Sequence, residues 1–258
     1  MPTENPSQER YFEFLADMGF TKHLGSMEAT QALIELCSVG EGKCVLDVGC
    51  GAGATPCYLA KRYNCRVIGV DFVKKMVEQS QEIAKAKGVT DRVEFWVADA
   101  RALPFEDDLF DVVIVESVNV FFQEKQKAIG EYARVTKPGG HVGITEMTWL
   151  ESPSPEVAEY YWRTVYAETL EADGWRSLLE SAGLKDVVAY ARQVDIPTES
   201  RGRFKRYGYR EVIKAMFRSL STLLKEPAYL EFMQDVGSSM PKDLFGVMGY
   251  GVYVGRKE

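Results

Sequence analysis

Residues 45–60 read VLDVGCGAGATPCYLA, an apolar run that breaks into alternating glycines and then resumes with apolar side chains at helical spacing. A β-rich run of this length reads as a buried strand, and the resumption predicts a helix from about Thr55. Gly49, Gly51 and Gly53 let the chain turn sharply off the strand and take every Cβ away from the point of approach. Pro56 fits the first helical turn, where its missing N–H costs nothing. The helix therefore starts with free N–H groups aimed at the turn. Such a strand, turn and helix suits a dinucleotide pyrophosphate or another nucleoside-containing ligand, and it is also compatible with tight packing and no ligand at all.

The segments that follow alternate. Strands are expected at 66–70, 92–97, 110–117 and 141–146, with helices at 73–87 and 123–135, and two helices (8–18 and 27–38) precede the glycines. Strands apolar along their whole length, separated by helices, indicate an α/β fold with a mostly parallel sheet covered on both faces and right-handed crossovers. After Pro155 come two helices and a strand-like run, KDVVAYARQVDI. A helical stretch over 198–241 follows, then a last strand in FGVMGYGVYVGRK. The expected organisation is a helical cap over 1–42 and one structural unit over 43–258, carrying helical insertions at 147–174 and 198–241.

A chain of 258 residues with 46% hydrophobic residues is long enough for one large core. Its net charge of −7 argues against a nucleic-acid partner, because phosphate contacts need a basic surface. The basic stretch RGRFKRYGYR at 201–210 is a local exception, open to three readings: a solvated helix face, a clamp for an anionic substrate, or a contact with acidic lipid headgroups. Five cysteines, all within the first 65 residues, show no metal spacing and are expected to be reduced, mostly buried thiols. The N-terminus has no apolar signal region and no window approaches a membrane span, so a cytoplasmic protein, monomer or homodimer, is expected.

Four acids stand where strands of the proposed sheet end: Asp47, Asp71, Asp99 and Glu116. Carboxyl ends of parallel strands converge on the crevice where such folds bind ligands, and Asp71 stands about where a ribose-binding acid belongs. With DVGCGAG, DFVKKM, ADA, LPFEDDLFDVVIVESV and EYARVTKPGGHVGITE, these residues resemble the class I S-adenosylmethionine-dependent methyltransferases of small-molecule type, similar to quinone, sterol and phosphoethanolamine methyltransferases. The resemblance is strong over 43–147 and fainter in SLLESAGLKDVV and GVYVGRK. It implies a Rossmann-like doubly wound sheet of seven strands and S-adenosylmethionine as cofactor. It further implies that Asp47, Gly49, Gly51 and Gly53 hold the methionine end, that Asp71 holds the ribose, and that Phe72 and Met76 lie near the base. Asp99 and the Ala100 N–H would read the adenine, and Glu116 and Ser117 would line the floor near the methyl group.

Transfer of a methyl group from a sulfonium is an in-line displacement, so the protein chiefly aligns donor and acceptor and excludes water. Many small-molecule relatives carry a histidine a few residues after the fourth strand; this chain has Asn119 in that region, so no histidine base is available there. Glu146, closing HVGITE, is the candidate general base, with a plain strand-end acid as the alternative. Asn119 is a candidate acceptor contact or a helix cap, His23 a candidate on a closing N-terminal lid, and Trp149 and Tyr207 candidate walls of an apolar acceptor pocket. His141 starts its strand, at the wrong end of the sheet for chemistry. A nicotinamide-dependent oxidoreductase is the rival with different chemistry, disfavoured by Asp47 and by ADA; a non-catalytic S-adenosylmethionine-binding protein is the third reading.

Overall fold

A computed structural model describes residues 12, 16, 25–195, 209, 213, 214, 217 and 237–258. After the helix α1 (Ser26–Leu36) the chain alternates: β1 (Cys44–Val48), α2 (Ala54–Tyr63), β2 (Arg66–Asp71), α3 (Lys74–Lys87), β3 (Val93–Val97) and β4 (Phe110–Glu116). A short 3-10 turn (Asn119–Phe121) leads into α4 (Lys125–Val135) and β5 (Thr136–Trp149). Then come α5 (Pro155–Val165), β6 (Leu170–Glu171), α6 (Ala172–Ser181), β7 (Lys185–Gln193), α7 (Leu244–Val247) and β8 (Met248–Arg256).

The strands form one sheet in the order β3-β2-β1-β4-β5-β8-β7, with the two-residue β6 beside the end of β5. Strands β1 to β5 run parallel and β8 runs antiparallel between β5 and β7. The seven expected strands are present, and β6 is an addition too short to show any periodicity. Strand β5 runs further at both ends than 141–146: a bulge opposite Phe110 admits Thr136 to the ladder, and three residues after Glu146 continue along β8. The insertion expected to start at 147 therefore begins as strand. The expected helices 8–18 and 198–241 lie largely outside the described residues.

Side-chain alternation sorts the helices between the two faces. A Cβ on Gly143 would stand 2.6 Å from Cys37 Sγ and 3.0 Å from Leu33, so odd positions of β5 face α1. Ile144 points the other way and pairs with Tyr253, whose ring lies 6.2 Å from that of Trp175 on α6. The centre of each layer is closed, with Leu33, Leu46, Val113, Ile144, Trp175 and Leu179 all at 2% exposure or less, while Trp96 and Val97 on β3 and Val188 on β7 are exposed at the sheet's edges. Each such side chain contributes on the order of 2 kcal/mol of hydrophobic stabilisation. Local chemistry sets the ends: Ser154 accepts from the Val157 N–H with Pro155 in the first turn of α5, and Gly88 closes α3 at φ 66°. Helix α1 is thus part of the packed layer over β5 and β8.

Candidate active site

The carboxyl ends of β1 to β5 lie along one edge of the sheet, and the turn between β1 and α2 opens there. Gly49, Gly51 and Gly53 have φ of 72°, 52° and 78°, in the region where an L side chain is strained. A Cβ on Gly49 would stand 2.2 Å from Cγ2 of Val118, and one on Gly53 would stand 2.8 Å from Cβ of Ser80. The Gly49 and Cys50 N–H groups both donate to the Val70 carbonyl, at 2.8 and 3.0 Å, which ties the turn to the end of β2. No side chain caps the start of α2. The turn is therefore packed against Val118 and Ser80 and leads into a helix N-terminus with no side-chain cap.

Asp71 is 8% exposed beside this turn. Its Oδ2 accepts from the Gly51 N–H and its Oδ1 from the Val73 N–H, both at 2.9 Å. Burial pushes its carboxyl up to about 6 against the pull of those N–H groups. Phe72 stands at the rim, 37% exposed, and the Phe12 ring packs edge-to-face against it at 5.0 Å and against Phe121 at 4.8 Å. Ala16 is buried against Ala52 and Met76, and Gln79 Nε2 donates to its carbonyl at 2.9 Å. Phe12 and Ala16 thus lie over the glycine turn and its rim, spanning from β2 to the turn after β4.

Asp99 follows β3, with its Oδ1 accepting from the Arg101 N–H and Nε and its Oδ2 from Nη2, at 2.9, 3.1 and 3.0 Å. Burial pushes its carboxyl up, but these bonds outweigh it and hold the group below the usual carboxylate range. The Arg101 guanidinium also lies 5.5 Å from the centre of the Phe122 ring. Ala100 is 6% exposed, and Asp47 is 2% exposed inside β1.

Several expectations are corrected. Glu116, partly buried, accepts from the hydroxyls of Thr30 and Thr55, so its carboxylate ties the end of β4 to α1 and α2. Ser117 follows β4 in the left-handed region at φ 58°, its N–H on the Thr145 carbonyl at 2.8 Å. Asn119 is fully buried and neither faces the crevice nor caps a helix: its Nδ2 donates to Glu146 Oε1 at 2.9 Å and its Oδ1 accepts from the Tyr132 hydroxyl at 3.0 Å. Glu146, at 1% exposure, sits on the α6 face of β5, where Oε1 also accepts from the Val118 and Asn119 N–H groups at 3.0 and 2.7 Å. In this structure it is closed off from solvent and held by the turn after β4. Trp149 packs edge-to-face on Tyr161 at 5.4 Å with 7% exposure, which makes it core. His23 and Tyr207 lie outside the described residues. His141 pairs with Val112 and Arg256, at the opposite end of the sheet.

Sequence reasoning passed over Val118, Tyr132 and Arg101. The signal for Val118 was its place directly after the fourth strand, facing the glycine turn; Tyr132 lies on the apolar stripe of α4 and looks like any core aromatic. Among the described residues no cluster of His, Cys, Asp or Glu has the form of a metal site, and no helix is long and apolar enough to cross a membrane. All five cysteines are free thiols.

The methyltransferase-domain family matches residues 46–144. An uncharacterised protein of Haemophilus influenzae is 32% identical over 194 residues, covering 71% of this chain and 75% of that protein. Phosphoethanolamine N-methyltransferase 1 of Arabidopsis thaliana is 31% identical over 182 residues, and methyltransferase GfsG of Streptomyces halstedii is 33% identical over 159. The matches span only 36% and 57% of those two proteins. In fold, the chain resembles the cyclase SpnF (TM-score 0.75, 22% identity, covering 100% of this chain and 98% of that one). It also resembles a methyltransferase from Thiobacillus denitrificans in complex with S-adenosyl-L-homocysteine (TM-score 0.71, 20% identity, 96% and 98%). By sequence family and by fold, the chain belongs to the class I S-adenosylmethionine-dependent methyltransferases.

Proposed function

We propose that the chain transfers a methyl group from S-adenosylmethionine to a small organic acceptor by in-line displacement. The observation that carries this reading is the cradle of three positive-φ glycines at the carboxyl end of β1, with the Gly51 N–H fastened to Asp71. The residues present fit such a cofactor: positive φ at Gly49, Gly51 and Gly53 turns the chain at the uncapped N-terminus of α2, where backbone N–H groups are available to a ligand, and acids stand at the ends of the neighbouring strands β2 and β4. When bound, S-adenosylmethionine supplies an electrophilic methyl group on a sulfonium.

In this reading Asp47 and the glycine turn hold the methionine end, and Asp71 takes the ribose hydroxyls on lone pairs its two N–H bonds leave free. Phe72 and Met76 border the base, Asp99 accepts from its amino group, and the Ala100 N–H faces the ring. Ser117 presents the floor. Phe12 and Ala16 belong to an N-terminal cap that keeps water from the reacting atoms. The catalytic contribution is alignment and exclusion, with no side chain forming a covalent bond. The Arabidopsis thaliana relative is named as a phosphoethanolamine N-methyltransferase, so amines head the candidate substrates.

The test incubates the full chain with methyl-labelled S-adenosylmethionine and panels of amines, thiols, phenols and carbon acids. Label transfer to a member of one panel is the expected result. The shared fold of the cyclase SpnF keeps a second outcome in view, because a fold does not fix its chemistry. Cofactor binding with no transfer to any panel would favour the non-catalytic reading.

A further inference from the structure

Glu146 is 1% exposed, its Oε2 is buried with no hydrogen-bond partner, and the site as described above gives it no contact with a ligand. A carboxylate at 1% exposure is costly to bury unless it holds something in place. Here one oxygen, Oε1, gathers three donors from two adjacent residues: the Val118 N–H, the Asn119 N–H and the Asn119 side-chain amide. Asn119 is gripped from its other side by the Tyr132 hydroxyl. The turn so fixed begins at Ser117 in the left-handed region, a conformation that persists only where its surroundings enforce it.

What the turn carries is Val118. Its Cγ2 stands 2.2 Å from where a Cβ of Gly49 would be, so the valine methyl fills the space the glycine vacates. Gly49 in turn donates to the Val70 carbonyl, one residue before Asp71. A line of contacts thus runs from Glu146 through Val118 to the glycine cradle.

We propose that Glu146 is a positioning residue: by holding the turn 117–119 it sets where Val118 presses on the glycine cradle, and so sets cofactor affinity without touching the cofactor. This rests on the reading of the cradle as an S-adenosylmethionine site. What the position requires is an acceptor atom at Oε1; a negative charge is not needed, because every donor it receives is a neutral amide.

The experiment is calorimetric titration of S-adenosyl-L-homocysteine into the full-length wild type and Glu146→Gln, Glu146→Leu, Val118→Ala and Glu146→Leu/Val118→Ala variants, with circular dichroism to verify folding. Gln retains the acceptor and binds within about threefold of wild type, whereas Leu strands buried N–H groups and weakens binding roughly tenfold or more. The double variant loses less than the sum of the two single losses, since both act through one contact. If Glu146→Leu does not fold, Val118→Ala still decides: several-fold weaker binding sustains the proposal, and unchanged binding overturns it. Wild-type binding with an unaffected Leu variant, additive losses, or a Gln variant as weak as Leu would each overturn the positioning role alone. A wild type that binds no S-adenosyl-L-homocysteine would overturn the cofactor reading and this inference with it.

Discussion

Replacing Gly49 by alanine tests the shape of the cradle with little change of chemistry. Two costs follow from the structure. The φ of 72° places alanine in the left-handed region, at about 1 to 2 kcal/mol. The new Cβ would also lie 2.2 Å from Val118 Cγ2, far inside van der Waals contact, and opening that space costs about 1 to 3 kcal/mol as overpacking does elsewhere. Gly42 separates the two, because its φ is 78° and nothing stands within 4 Å of its added Cβ. Gly42→Ala therefore carries the backbone cost alone. Urea unfolding followed by tryptophan fluorescence should place Gly49→Ala below Gly42→Ala by roughly 1 to 3 kcal/mol. Adding Val118→Ala to Gly49→Ala should recover part of the difference, since the clashing methyl is removed. Equal losses in the two glycine variants, or no recovery with Val118→Ala, would mean that Val118 does not press on the cradle as described.

Glu146 should leave a signature in the pH dependence of stability. Its carboxyl is pushed up to about 7 by burial, from an ordinary value of 4.5, so the stabilising proton is fully held at low pH and is lost as pH rises through the folded value. At about 1.4 kcal/mol per pH unit, wild type should lose roughly 3 kcal/mol relative to Glu146→Gln between about pH 4 and pH 8; parallel curves would contradict this. Phe72→Ala should weaken S-adenosyl-L-homocysteine binding while changing the urea midpoint little, because a half-exposed rim residue contributes little to the fold; calorimetry beside unfolding separates the two effects. Cys37, buried and with its thiol pushed up to about 12 by that burial, should resist iodoacetamide in the native protein and react on unfolding, as peptide mass mapping would show.

The sheet was legible because its signals are periodic and local. Apolar runs such as VLDV and VVIV lie on parallel strands buried on both faces, and the glycines at 49, 51 and 53 were readable from their spacing as a turn that excludes side chains. What escaped was set by tertiary contact. Glu116 and Glu146 both looked like acids at strand ends, yet they sit on opposite faces of the sheet, one clamped by Thr30 and Thr55 and the other by the turn after β4. One residue of register decides which face an acid meets, and a sequence does not show which neighbouring hydroxyls or amides wait there. Asn119 resembled a cap because caps and buried bridging amides share a residue type. Trp149 resembled a pocket wall because an aromatic at a strand end serves core and ligand alike.

The most direct test of the account is a calorimetric titration of the full chain with S-adenosylmethionine, S-adenosyl-L-homocysteine and NAD. Saturable binding of the first two at a single site, with no heat from NAD, is the predicted result. Binding of NAD alone, or of none of the three, would contradict the reading of the glycine cradle and of every site residue placed around it.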